Sequence, residues 1–176
     1  KEDRHRIPLL NLFGGAFRLK SRSPGSTTVP CRDTLRNIFP IPAFADNYIW
    51  AIHDDAHAVV VDPGDAAPVR AYLQAHRLTL SAILCTHHHR DHTGGITELV
   101  EVYNSPVYGP PLENIPANTH PCGEGDVIDI AELPLRLNVI DVPGHTRGHI
   151  AFLWDKHLFC GDTLFGCGCG KLFEGT

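Results

Sequence analysis

Apolar and polar positions change period several times along this chain, and each change marks an element. Ile38-Phe39-Pro40-Ile41 and Tyr48-Ile49-Trp50-Ala51-Ile52 are β-branched and aromatic runs on either side of Ala45-Asp46-Asn47. They predict two strands joined by a turn. His57-Ala58-Val59-Val60-Val61 predicts a third strand, stopped by the turn-forming Asp62-Pro63-Gly64-Asp65. Over residues 66–77 the period lengthens to that of a helix, with Val69, Tyr72, Leu73 and His76 on one face and Asp65 as its cap. A buried strand follows over 80–85, then a helix over 93–103 with Ile96, Leu99, Val100 and Tyr103 on one face. Val107-Tyr108 is a short strand before a Pro-rich loop over 110–121. Residues 127–130 and 135–140 predict strands, and 150–154 with 157–160 a hairpin around Asp155-Lys156. Strands interleave with helices and outnumber them. The pattern therefore predicts a layered α/β fold with mixed sheets, not a doubly wound parallel one.

Residues 1–36 keep no period and carry the breakers Gly14-Gly15 and Ser23-Pro24-Gly25-Ser26. We read them as a disordered or non-native extension in preference to a targeting peptide, and 37–176 as the folded domain. Charge separates the same two parts. Residues 1–36 hold eight Lys/Arg against three Asp/Glu, whereas 37–176 hold seven against seventeen. A body of net charge −10 is a poor partner for nucleic-acid phosphates and can hold divalent cations. No apolar run approaches a membrane span, so no membrane association is expected. The cysteines at 31, 85, 122, 160, 167 and 169 make no recurring CxxC pattern. Neither a disulfide framework nor a zinc ribbon is indicated, and a reducing, cytoplasmic setting is expected. Cys85 and Cys160 read as small buried hydrophobes.

The chemistry concentrates where the strand over 80–85 runs into Thr86-His87-His88-His89-Arg90-Asp91-His92. Neutral imidazoles and a carboxylate are ligands for zinc, iron and manganese. Five ligand-capable side chains in six residues exceed what one tetrahedral ion draws from one loop, which points to two adjacent ions. A solvated histidine run is the competing reading, but it does not explain a cluster set between a buried strand and Gly94-Gly95. His87 and His89 alternate and can face one ion, while Asp91 and His92 turn toward a second. Two further strand ends supply His145, in Pro143-Gly144-His145, and Asp162, in Cys160-Gly161-Asp162. The Asp162 carboxylate has two oxygens and can bridge two cations, a common hydrolytic device with a bridging water. His149 is read as a supporting or core residue, His88 as facing away, and His53, His57 and His76 as surface or structural.

These stretches carry a family resemblance. T-H-H-H-R-D-H, V-P-G-H-T-R-G-H and G-D-T-L-F resemble the metallo-β-lactamase fold superfamily, which implies an αββα sandwich. Ala45-Asp46-Asn47-Tyr48, Val61-Asp62-Pro63-Gly64 and the segment over 169–176 look like glyoxalase II, or hydroxyacylglutathione hydrolase. The resemblance covers about residues 37–176. It implies that His87, His89 and His145 hold one divalent ion, and Asp91 and His92 the other, with Asp162 bridging. Asp91 and Asp162 become the candidate catalytic carboxylates, with zinc the first choice of metal and iron or manganese the alternatives. A metal-bridging hydroxide would hydrolyse S-D-lactoylglutathione to D-lactate and glutathione, in methylglyoxal detoxification. Lys171, Leu172 and Phe173 match the segment that touches glutathione, whose carboxylates a lysine can pair with. A monomer acting on a small-molecule thioester is expected. In the family a further histidine and a helical glutathione-binding region lie downstream. The resemblance thus implies that these residues are the N-terminal part of a longer enzyme. Other enzymes of the superfamily (a persulfide dioxygenase, a lactonase or a β-lactamase) are alternatives. So is a non-catalytic metal-binding fragment using Cys167 and Cys169.

Overall fold

Two strands open the fold where the apolar runs lie, β1 (Asn37–Ala43) and β2 (Asn47–His53), paired antiparallel with Ile41 opposite Ile49. The computed structural model describes residues 37–174. The expected extension over 1–36 lies outside the described residues, as do Gly175 and Thr176. β3 (His57–Val61) pairs antiparallel with β2, and α1 (Ala66–His76) then crosses over to β4 (Thr79–Leu84), which runs parallel to β3. Asp65 caps α1 as its sequence position predicts: its Oδ1 accepts from the Ala67 N–H at 2.9 Å. β5 (Val107–Gly109) and β6 (His120–Pro121) extend the sheet in parallel, giving the order β1-β2-β3-β4-β5-β6. β7 (Val127–Ile130), β8 (Leu135–Asp141), β9 (Ile150–Trp154) and β10 (His157–Phe159) form a second, antiparallel sheet of order β10-β9-β8-β7.

Alternation along the strands divides the apolar residues between two cores. Val60 and Ile83 face Val69 and Leu73 of α1 together with Ile96 and Leu99. Their chain neighbours Val59, Val61 and Leu84 face the other way, onto Ile128, Leu137, Val139 and Phe152 of the second sheet. A helix layer, the mixed sheet and the antiparallel sheet are thus stacked in that order. The described residues supply three layers of the expected αββα sandwich.

Three local expectations are corrected. The helix predicted over 93–103 is two helices, α2 (Arg90–Thr93) and α3 (Ile96–Tyr103). The chain breaks at Gly94-Gly95 because the Gly95 N–H is drawn to the Pro63 carbonyl at 2.8 Å, outside the helical ladder. The Pro-rich loop hides β6 at its end, a strand too short for periodicity to register. Cys160 is only partly buried, since the strand ends at Phe159 and a 3₁₀ turn (Gly161–Thr163) begins. His53 is structural: it is buried, with Nε2 2.8 Å from the Tyr72 hydroxyl. Among the described residues no helix is long and apolar enough to cross a membrane.

Phe152 is fully buried between the sheets, whereas Leu158 on the same sheet is half exposed. Phe152→Ala is expected to lower unfolding stability by about 3–5 kcal/mol in a urea titration. Leu158→Ala is expected to change it by roughly 0.5 kcal/mol or less.

Candidate metal centre

The site is assembled from strand ends, where backbone bonding stops and side chains are free to converge. β4 ends at Leu84, and Thr86 follows it as the first fixed point. The Thr86 N–H and Oγ1–H donate to the two oxygens of Asp62, at 2.7 and 2.8 Å. Asp62 ends β3 in the left-handed region, at φ 53°, a conformation aspartate tolerates better than most residues. Because its hydroxyl hydrogen goes to Asp62, Thr86 Oγ1 is left to accept from His87 Nδ1 at 3.0 Å. This chain of bonds selects the tautomer of His87 and leaves its Nε2 with an open lone pair.

The other side chains close around His87. Ligand atoms of His87, His89 and His145 lie within 4.8 Å of one another, and so do those of His87, His92 and Asp162. His145 Nδ1 donates to the Lys171 carbonyl at 2.7 Å, which turns Nε2 inward to 3.0 Å from His89 Nδ1. Asp162 sits in the 3₁₀ turn after β10, entered through Gly161 at φ 46°. A side chain at 161 would meet Thr86 Oγ1 at 2.3 Å, so only glycine admits this approach. The two Asp162 oxygens reach separate groups: Oδ2 is 3.3 Å from His145 Nε2, and Oδ1 is 3.1 Å from His92 Nε2. That is the geometry of a carboxylate able to span two ions.

Of the residues expected at the site, His87, His89, His92, His145 and Asp162 come together in these groups. Asp91 stands at the edge, half exposed, with Oδ2 3.4 Å from His92 Nε2 and bonded to the Asn47 side-chain amide at 2.8 Å. Lys171, Leu172 and Phe173 run alongside. The Phe173 N–H donates to the His145 carbonyl, and the Phe173 ring stands edge-on to His145 and His89 at 5.2 and 5.8 Å. His149 stacks beneath His87, with centroids 4.5 Å apart and rings nearly parallel. His88 faces away and bonds Glu113. Cys167 and Cys169 are exposed and belong to none of the metal-capable groups among the described residues. Asp62, Asn47, Thr86 and Glu113 were not legible as site residues. Asp62 and Asn47 carried turn signals and stood within the family-like stretches, with no role at the site assigned to either, and Glu113 lies in the Pro-rich loop.

Electrostatics fit a cation. Burial and then the neighbouring imidazoles of His92 and His149 push His87 far below its ordinary value. His89 is likewise lowered, by burial and His145. Both are neutral, the form that ligates metals. Burial also opposes charge on His92, but Asp62 and Asp162 outweigh it and push His92 up to about 10. Asp62 Oδ2 and Asp162 Oδ1 each lie 3.1 Å from a His92 nitrogen, yet both contacts are off-axis, so neither nitrogen has a directed hydrogen bond. His87 Nε2 is buried without a partner as well. Orphaned buried polar atoms cost about 1–3 kcal/mol each, a cost that a ligated cation would remove. With the carboxylates of Asp62, Asp91 and Asp162 beside neutral His87 and His89, and beside a His92 whose proton a bound cation would displace, the residues present fit a dinuclear metal site.

Comparison with known proteins agrees with this geometry. Residues 44–174 match the family described as Metallo-beta-lactamase superfamily. The hydroxyacylglutathione hydrolase of Nitrosomonas europaea is 58% identical over 140 residues, which is 80% of this chain and 53% of that protein. The chain spans about half the length of the curated relatives it matches. BLEG-1 B3 metallo-beta-lactamase superposes with a TM-score of 0.69 at 26% identity, over 79% of each chain. TTHA1623 in a di-iron-bound form superposes with a TM-score of 0.61 at 30% identity, over 76% of each chain. On its match over residues 44–174, and with its histidine and aspartate groups at the strand ends, the chain belongs to the metallo-beta-lactamase superfamily.

Proposed function

We propose that this chain carries the metal-binding part of a glutathione thioester hydrolase, with S-D-lactoylglutathione as substrate. The observation that carries the reading is the pair of ligand groups sharing His87 and spanned by Asp162, in a chain 58% identical to a hydroxyacylglutathione hydrolase. His87, His89 and His145 would hold one divalent ion. His92 and Asp91 would hold the second, with Asp162 between the two. Zinc is the first choice and iron or manganese the alternatives. Bound there, the ions would supply Lewis acidity and lower the pKa of water.

The chain's own residues do the rest. Asp62 and Thr86 keep His87 in one tautomer, and the Lys171 carbonyl does the same for His145. Asp91, with its Oδ2 turned to Asn47, stands at the open edge, where it can take a proton from attacking water. As water adds to the thioester carbon and the C–S bond breaks, glutathione leaves as a thiolate. Lys171 lies over the Phe173 ring, its Nζ 5.4 Å from the centroid, and is exposed to meet a glutathione carboxylate. Free thiols at Cys85, Cys122, Cys160, Cys167 and Cys169 support a reducing, cytoplasmic setting. A monomer belongs to the same reading.

The metal-loaded protein is expected to hydrolyse S-D-lactoylglutathione, followed by loss of thioester absorbance. The assay is run on this chain and on the chain joined to the part of the Nitrosomonas europaea relative beyond the matched residues. Turnover by neither, with both carrying metal, would sink the reading. Chelator treatment is expected to abolish turnover and added zinc to restore it. Asp162→Ala and His89→Ala are each expected to lower bound metal from two equivalents toward one and kcat by at least about 100-fold, the scale of losing one preorganised charge-stabilising group. Lys171→Ala is expected to raise KM by about 2–5-fold with kcat unchanged, the scale of one exposed ion pair. A kcat effect from Lys171→Ala would argue against a binding role.

A further inference from the structure

Among the described residues, Glu113 is the one buried carboxylate near the site that the proposed chemistry does not use. It lies in the Pro-rich loop between β5 and β6, with its side chain only 2% exposed. Four donors converge on it. Oε2 accepts from the His88 N–H at 2.6 Å and from His88 Nδ1 at 2.9 Å. Oε1 accepts from the Gly148 N–H at 2.9 Å and from the Thr146 hydroxyl. Each oxygen therefore serves one ligand-bearing loop. His88 stands between His87 and His89 at the end of the first sheet, while Thr146 and Gly148 flank the His145 loop of the second.

We infer that Glu113 is a positioning residue for the metal centre: a rigid, buried carboxylate that clamps the His87–His89 loop to the His145 loop and so fixes the spacing of three ligands. A carboxylate is suited to this task because both oxygens only accept, and their separation is set by covalent geometry. The surroundings are cut to fit it. A Cβ at Gly148 would lie 2.6 Å from Glu113 Cγ, so the glycine after the His145 turn makes room for this side chain. His88, which lies between two ligands without joining them, gains a purpose as the donor pair on that side.

Ligand atoms of His88, Glu113 and Glu174 also converge, which raises a third cation site as an alternative. Both Glu113 oxygens are already filled by two donors each, and His88 Nδ1 is committed to one of them. Only His88 Nε2 and Glu174 Oε1, 3.5 Å apart, remain, too few to hold an ion.

The inference rests on the metal-binding reading of the site but not on the thioester chemistry, so its test is metal affinity. Glu113→Gln keeps the shape, but its amide NH₂ must face one pair of donors. Zinc affinity, measured by competition with a chromogenic chelator, is expected to fall by about 10–100-fold, the usual scale for a group that orients ligands. The metal-free protein is expected to melt at a lower temperature, because one donor pair loses its acceptor, but to remain folded at the temperature of the titration. A separate cross-sheet bond, from the Ile150 N–H to the Thr86 carbonyl at 3.0 Å, does not involve Glu113. Gly148→Ala leaves the carboxylate in the chain but displaces it, and is expected to reproduce the affinity loss. Glu113→Asp, too short to reach both loops, should not rescue. Unchanged zinc affinity in Glu113→Gln would overturn the inference. So would a metal-free Glu113→Gln protein found unfolded under the conditions of the titration. Weakened zinc binding by both variants, in a protein that hydrolyses no thioester, would leave the inference standing and remove the hydrolase reading alone.

Discussion

Desolvation of imidazoles is the constraint on which the site depends. Four histidines, His87, His92, His145 and His149, are buried within one seam between the sheets, and burial opposes charge on His87, His92 and His149. Rings packed this closely turn lone pairs toward one another unless each is given a fixed tautomer and a partner. The fold meets that requirement with acceptors drawn from elsewhere: Asp62 through Thr86 for His87, the Lys171 carbonyl for His145, and the Ile150 carbonyl for His149. Most of the polar residues near the site orient rings in this way. Few face open solvent with nothing to do.

The same requirement explains the unusual backbone nearby. Asp62 takes up a left-handed conformation that brings its carboxylate back toward Thr86, and Gly161 turns sharply so that Asp162 can enter from the second sheet. Both residues lie just past the ends of strands. A strand end gives a side chain a rigid base on one side and an open loop on the other, so strain there costs little of the sheet. The crossing of two such ends, rather than any single motif, makes the double ligand group.

Much of this was legible in the sequence, for physical reasons. The apolar runs marked β2, β3, β8 and β9 to within a residue or so, because β8 alternates between a buried and an exposed face while β2, β3 and β9 are largely buried on both. Imidazoles at His87, His89, His92 and His145 stood out because their spacing has few other uses. What could not be read were the acceptors behind them. Asp62 and Asn47 look like ordinary turn residues, and Glu113 sits 25 to 35 positions from every group it bonds. Local pattern carries no information about contacts of that range. The break at Gly94-Gly95 was missed for the same reason, since its cause is the distant Pro63 carbonyl.

The residues proposed as ligands run from His87 to Asp162, across both sheets, so no unfolded segment holds the whole group. A cation that binds the assembled set and not the open chain acts by mass action on the folding equilibrium. Its contribution is RT ln(1 + [L]/Kd), about 4 kcal/mol when free metal stands a thousandfold above Kd. If the site binds metal as proposed, the persistence of the fold is tied to how much metal the surroundings supply. In a metal-poor medium the two sheets would hold together on their apolar contacts and the few hydrogen bonds that cross between them.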